Sequence, residues 1–398
     1  MNGSWLPPLV WLVSVLGLAG FFVLYPAGLW FATRRRSDPL APAVEGFEPS
    51  VTMLLIVRNG EALIEEKLRN SLQLDYPPEK LELLVWSDGS TDGTERLLRE
   101  QADDRIKVFA TAAHRGKVAC LNEAAVLAGG ELLLPTDADA LFEPDALRKL
   151  VAHFADSEVG GVCGQRVIAG ERASLKLAQN RYIDFDSAIK RWESRLGSIT
   201  SNDGKIYAIR RELFDAIPAT ATDDFFVGLN VTRRGRRFIF EPGARARIRL
   251  PARSPAHEVA RRRRIVVQSL SAMATLRELF DPRRHGVFSL RLAVNKLLRR
   301  LSPLLLLTLF AGSLALAFES QVFAALTAAQ LLFYVAGLSH PLLLRLRAPR
   351  LLLRPASMVY YFVLGQVGML LALVDFSRGR RSVKWNPIKT DGNALSEG

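Results

Sequence analysis

Hydrophobic positions along the chain follow two regimes. Residues 9–31 run without a charge, long enough to cross a hydrocarbon core as a helix rising about 1.5 Å per residue. Apolar stretches return at 301–318, 320–344 and 356–376, after a charged middle. That middle alternates between strand and helix patterns. Residues 51–57 form a short apolar run of the kind found in buried parallel strands. Residues 61–72 have helical spacing, with Leu63, Ile64, Leu68 and Leu72 on one face. The pattern then predicts a strand at 81–86, a helix at 94–101, a strand at 106–110 and a helix at 117–128. A strand at 131–135, an acidic turn and a helix near 145–154 follow, and a strand at 159–163 closes the series. Such alternation predicts an α/β domain, doubly wound around a mostly parallel sheet with helices on both faces. Ligands of such sheets bind beyond the carboxyl ends of the strands. The expected organisation is a transmembrane helix over 1–33, a basic, Pro-containing linker over 34–50 and the α/β domain over 51–250. Interfacial amphipathic helices over 251–300, transmembrane helices over 301–376 and a basic tail over 377–398 complete it.

Composition and charge narrow this picture. No basic region precedes the first apolar segment, which is also long for the core of a cleaved signal peptide, so a permanent span is expected. The net charge is +13, and residues 233–264 alone hold twelve arginines against Glu241 and Glu258. No nucleic-acid-binding module surrounds this stretch, so membrane lipids and a diphosphate are the expected partners, and no nucleic acid. Cys120 and Cys163 fit no metal-ligand spacing and read as buried free thiols of a reducing compartment. Arg34, Arg35 and Arg36 follow the first span and predict a cytoplasmic middle domain. The carboxyl end presents a conflict. Arg345, Arg347, Arg350 and Arg354 favour the same side as the tail arginines and lysines, yet one apolar segment separates them. An interfacial or re-entrant segment would resolve it.

Polar signatures fall where the predicted strands end. Ser87-Asp88-Gly89-Ser90-Thr91-Asp92-Gly93-Thr94 follows the second strand, Thr136-Asp137-Ala138-Asp139 follows the strand at 131–135, and Thr222-Asp223-Asp224 precedes a helix start. Singly, each has a bland reading, since Asp before Gly makes turns and Asp at a helix start makes caps. Together they would converge on one crevice. Asp-x-Asp suits a hard divalent cation, which takes one or two carboxylates and keeps positions for diphosphate oxygens. Such a cation neutralises charge on a leaving nucleoside diphosphate.

The stretch from Val51 to Arg264 resembles the inverting family 2 glycosyltransferases of GT-A fold, the group containing cellulose, chitin and hyaluronan synthases. The matching blocks are Asn59-Gly60-Glu61, Asp75-Tyr76-Pro77, Ser87 to Thr94, Arg115-Gly116-Lys117 with Leu121-Asn122, Asp137-Ala138-Asp139, Tyr207-Ala208-Ile209-Arg210-Arg211 and Thr222-Asp223-Asp224. By this resemblance Asp88 would hold the nucleobase, Lys117 would lie near the donor, and Asp137 would touch the ribose. Asp139 would ligate Mg²⁺ or Mn²⁺, and Asp224 would be the general base that deprotonates the acceptor hydroxyl. Asn59, Glu61 and Arg264 are the further expected donor-binding residues. A UDP-sugar is the commonest donor of the family, with a lipid-linked or glycan acceptor in glycolipid or cell-surface polysaccharide synthesis at a bacterial inner membrane.

Two departures qualify the resemblance. Asp223 stands where the family usually has Glu. The Gln-x-x-Arg-Trp element of polymerising members is replaced by Arg261-Arg262-Arg263-Arg264-Ile265-Val266-Val267-Gln268, with no tryptophan, so transfer of one or a few sugars is expected rather than processive synthesis. The arginine run could equally be a lipid-facing stripe, and Ile265, Val266, Leu270, Met273, Leu276 and Leu279 offer an interfacial apolar face. His114 reads as part of the turn before Arg115 rather than as a catalyst. The rival enzyme readings are a sugar–polyprenyl-phosphate synthase and a processive polysaccharide synthase. A non-catalytic membrane subunit is disfavoured by the intact Asp88, Asp139 and Asp224, and a nucleotidyltransferase by the lack of a Gly-rich phosphate loop after the first strand.

Overall fold

The computed structural model describes residues 5–35, 46–168, 174–248 and 255–380. Arg36 and the basic residues from Arg381 onward lie outside the described residues. The strands are β1 (Val51–Val57), β2 (Leu81–Asp88), β3 (Ile106–Thr111), β4 (Leu132–Thr136), β5 (Ala140–Phe142), β6 (Val159–Ile168), β7 (Tyr207–Arg210) and β8 (Arg237–Ile248). They form one sheet in the order β3-β2-β1-β4-β7-β6-β8-β5. β1 to β4 are parallel. β7 runs antiparallel between β4 and β6, β8 is parallel to β6, and β5 is antiparallel at the edge. The mixed half is built largely from β7 and β8, which lie beyond the regular alternation, and from β5, which falls in its acidic turn.

Every residue of β1 is buried, as an apolar run without alternation requires of a strand covered on both faces. Leu54 and Ile56 join Leu84, Trp86 and Leu133 in the core on one side. Val51, Met53 and Leu55 join Leu83, Val85 and Leu134 on the other. The helix Glu61–Leu72 covers the second face with Ile64, Leu68, Ser71 and, unexpectedly, Lys67.

Parallel register brings the strand ends to one edge. Val57 lies beside Ser87, Asp88 beside Thr111, and Leu55 beside Thr136. Antiparallel pairing of Leu133 with Ile209 turns the start of β7 toward the same edge. The site therefore draws on the loops after β1, β2 and β4 and on the turn before β7.

Among the described residues, three helices are long and apolar enough to cross a membrane: Leu6–Thr33, Gln321–Leu338 and Arg350–Ser377. Val287–Leu298 and Ser302–Ala317 would add a fourth, bent by 66°. Large side chains such as Leu332, Val335 and Leu351 are exposed on these helices, which a bilayer accounts for and water does not. The helix Pro255–Thr275 corrects an expectation. Val266, Leu270, Met273, Leu276 and Leu279 do not form a lipid-facing stripe but are buried in the core beneath the sheet, together with Ala372 of the last helix.

Candidate active site

Loop geometry after β1 and β2 is fixed by hydrogen bonds between the two loops. Asn59 sits at φ 52 and its Oδ1 accepts from the Thr91 N–H at 2.8 Å. Glu61 Oε2 accepts from the Gly93 N–H at 2.9 Å, and Asp92 Oδ2 accepts from the Glu61 N–H at 3.2 Å. Asn59, Glu61 and Asp92 thus latch this edge in place. Asp88 is fully buried and performs a similar task for the next loop. Its carboxylate accepts from the N–H groups of Arg115 at 2.7 Å and Gly116 at 2.9 Å, and His114 Nδ1 lies 2.8 Å away. Desolvation works against ionisation here, but these partners outweigh it and hold the carboxyl below its usual range. Gly89 permits the approach, because a Cβ there would lie 2.6 Å from the His114 backbone nitrogen and φ is +60. His114 is accordingly a partner of Asp88, as its place before the turn suggests.

Beyond these loops, a chain of alternating charges crosses the crevice. Lys117, at the start of the helix Lys117–Leu127, places Nζ 2.7 Å from Asp137 Oδ1 and 2.7 Å from Asp223 Oδ2. Lys205 places Nζ 2.8 Å from Asp137 Oδ2 and 2.6 Å from Asp139 Oδ1. Desolvation opposes the charge on Asp137, yet the two ammonium groups hold it well below the ordinary carboxylate range. Asp224 lies next to this chain. Its Oδ2 accepts from the Gly204 N–H at 3.1 Å and its Oδ1 from its neighbour Phe225 at 2.7 Å. Desolvation and the charge on Asp223 push its carboxyl up to about 6. Asp223, one methylene shorter than the Glu the resemblance implies, is therefore the anchor that locks Lys117.

The arginine run divides around its helix. Arg261 and Arg262 pair with Glu258, and Arg263 pairs with Asp375 of the last helix. Arg264 faces the crevice, within electrostatic reach of Asp223, Asp137 and Asp224. Four successive side chains point around a helix, so one stretch serves both the membrane helices and the site.

Three further residues enter the site, of which Lys205 and Lys67 stand at positions the sequence pattern does not single out and Tyr207 opens a block that the resemblance includes. Lys205 follows the turn Asn202-Asp203-Gly204, and that turn before a strand is the only signal of it. Lys67 is fully buried behind Asp137 and Asp139, donating to the Ala140 carbonyl at 2.6 Å and to Thr136 Oγ1 at 3.3 Å. Burial draws its pKa down to about 7, against the pull of Asp137 and Asp139. The Tyr207 hydroxyl is buried beside Asp223 and Lys117 with no hydrogen-bond partner.

The donor set suits a divalent cation. Asp137 and Asp139 offer carboxylate oxygens already bridged by a positive group, the Lys205 ammonium. Among the described residues no cluster of three or more His, Cys, Asp or Glu side chains is arranged for a metal. A site of two carboxylates leaves coordination positions for diphosphate oxygens.

Residues 52–217 match the glycosyl transferase family 2 domain. The beta-monoglucosyldiacylglycerol synthase of Nostoc sp. is 29% identical over 221 residues, covering 53% of this chain and 47% of that protein. The poly-beta-1,6-N-acetyl-D-glucosamine synthase of Staphylococcus aureus is 26% identical over 238 residues, covering 58% and 56%. The chain spans about half the length of the curated relatives it matches. Among solved structures, the mannosyltransferase PcManGT from Pyrobaculum calidifontis, in complex with GDP-Man and Mn²⁺, aligns with a TM-score of 0.70 at 25% identity. That alignment covers 93% of this chain and 99% of the mannosyltransferase. Strand order, the carboxylates at the strand ends and these matches lead to one assignment: the chain carries a family 2 glycosyltransferase domain of GT-A fold within a membrane protein.

Proposed function

We propose that the protein transfers a sugar, with inversion, from a nucleoside-diphosphate donor to a hydroxyl of a membrane-proximal acceptor, lipid-linked or glycan. The observation that carries this reading is Asp224, a carboxylate raised to about 6 at the end of the chain that joins Asp223, Lys117, Asp137 and Asp139. A carboxylate with that pKa is ionised near neutrality and basic enough to take the proton of an attacking hydroxyl. Inversion needs a single base on the face opposite the leaving group, and Asp224 is that base. Asp139, with Asp137, would hold Mg²⁺ or Mn²⁺, which supplies charge neutralisation at the departing diphosphate. Lys117 is fixed between Asp137 and Asp223 at the donor side, and Arg264 adds positive charge facing the same crevice. Asp88, Asn59 and Glu61 shape the nucleotide-binding edge through the loops they latch.

Glycolipid and polysaccharide products are both named among the relatives, and a UDP-sugar is the donor to test first. The missing tryptophan beside Arg261 to Arg264 favours transfer of one or a few sugars. A lipid-phosphate acceptor is the second reading, and the cation to test for it is Arg300, whose guanidinium lies 5.4 Å from the ring centre of Phe225 while donating to Ser269 Oγ and the Lys296 carbonyl. Arg34 and Arg35 after the first span favour a cytoplasmic domain at a bacterial inner membrane. The Arg263–Asp375 pair and the burial of Ala372 draw the end of the last helix against the transferase domain. The experiment is nucleotide release from a panel of UDP-, GDP- and TDP-sugars by the purified protein, with and without lipid acceptors and with EDTA. Acceptor-dependent release that EDTA abolishes and metal restores is expected. Full activity in EDTA would remove the metal from the reading.

A further inference from the structure

The Lys205 ammonium lies where a cation bridging Asp137 and Asp139 would lie. Its contacts of 2.8 Å and 2.6 Å use one oxygen of each carboxylate, and the other Asp137 oxygen is taken by Lys117. Lys117 is locked from behind by Asp223, whereas the carboxylates that Lys205 meets are those of the Asp-x-Asp pair. The backbone beneath Lys205 is held independently of those contacts. The Gly204 N–H donates to Asp224 at 3.1 Å, and the Lys205 carbonyl accepts from Thr136 Oγ1 at 3.1 Å. Lys205 is thus a fixed anchor carrying a four-carbon stem that can swing.

A divalent cation the size of Mg²⁺ binds oxygen at about 2.0–2.1 Å. It would claim the lone pairs that Lys205 holds and would repel the ammonium. Building on the proposed metal site, we propose that Lys205 is a tethered competitor of the divalent cation. It keeps Asp137 and Asp139 paired in the free protein, leaves when the cation enters, and is then within a side-chain length of the cation-bound diphosphate. Lys205 is a positioning residue in the first state and a diphosphate ligand in the second. Metal and nucleotide binding are therefore coupled through one side chain: the nucleotide gives the displaced ammonium a new partner, which favours the metal-bound state.

The test is direct binding of Mn²⁺ to the full chain in detergent, by calorimetry or by the loss of free-Mn²⁺ electron paramagnetic resonance, with and without UDP. If Lys205 occupies the site in about nine molecules of ten, Lys205→Met should tighten Mn²⁺ binding about tenfold without nucleotide. UDP should then enhance Mn²⁺ affinity less in the variant than in the wild type. Thermal melting checks that the variant folds, and Lys205→Gln, which keeps length and a donor without the charge, replaces it if Lys205→Met does not. Equal or weaker Mn²⁺ binding by the folded variant overturns the inference while leaving the metal site intact. Absence of Mn²⁺ binding to both proteins, with UDP present, overturns the inference and the metal part of the proposed function together.

Discussion

Asp224 is the residue whose chemistry can be read most directly from its surroundings. Desolvation and Asp223 raise its carboxyl from 3.8 to about 6, while Lys117 and the Phe225 N–H pull the other way. A general base works only when ionised, so kcat/KM should rise about tenfold per pH unit up to about 6 and level off above it. The same shift has the opposite sign for stability. Folding favours the protonated form, so the group's contribution is fully present below about 4 and is lost as pH climbs through 6. A pH–rate profile on the detergent-solubilised protein, read beside melting temperatures over the same range, measures both. An acid limb near 4, or none above pH 5, would show that Asp224 titrates as an ordinary surface carboxyl and does not carry the proton.

At the scale of elements, the helix Pro255–Thr275 joins the parts of the molecule. Its buried side chains close the core under the sheet, Arg264 faces the crevice, and Arg263 reaches Asp375 on the last helix. Gly368 lets the two helices meet, since a Cβ there would lie 2.8 Å from the Arg262 Cβ. Arg263→Met should lower the melting temperature, because it leaves the buried Asp375 carboxylate without its guanidinium partner. Adding Asp375→Asn should recover most of that loss, because the uncompensated charge is then gone. Equal melting of the single variant and the wild type would mean that the pair does not bind the helices together. These elements also show what a sequence can reveal. β1 to β4 and their helices are legible because long apolar runs and 3.6-residue spacing have no competing reading. β5 and β7 are three and four residues long, too short for periodicity, and Pro242-Gly243 interrupts the pattern of β8. The amphipathic face of Pro255–Thr275 is visible, but its partner is not, since a membrane surface and a protein core ask for the same apolar stripe. The crevice carboxylates are legible from their places after strands. Lys205 and Lys67 are not, because lysines in a turn and on a helix look like solvated charges until the fold buries them.

For the whole molecule the proposed function turns on what the acceptor presents, and Asp224 discriminates between the two acceptors. The crevice lies at the strand ends, with the helix Pro255–Thr275 and the bent pair of Val287–Leu298 and Ser302–Ala317 packed toward the apolar helices. An acceptor held in the bilayer can present a hydroxyl, which must lose a proton as it attacks, or a phosphate, which arrives ionised. Asp224→Asn preserves size and can still meet the Gly204 N–H, but it cannot take a proton. For a hydroxyl acceptor the substitution should cost on the order of 10²–10⁴-fold in turnover. Donor affinity should be nearly unchanged, because Lys117, Asp137 and Asp139 are untouched. For a phosphate acceptor the same variant should lose far less, and Arg300 beside Phe225 becomes the group to examine. A third outcome belongs to structure alone. Asp224 lies in the first turn of the helix Asp223–Arg233, behind the N-cap Thr222, and a carboxylate there can contribute about 0.3–1 kcal/mol through the helix dipole. Turnover, donor affinity and melting temperature of Asp224→Asn, measured beside the wild type with diacylglycerol and with a polyprenyl phosphate, separate the three. Near-normal turnover removes the base role. Activity that falls only in step with stability assigns the residue to the helix. A large loss with diacylglycerol at unchanged melting temperature leaves proton transfer from a hydroxyl as the step that Asp224 performs.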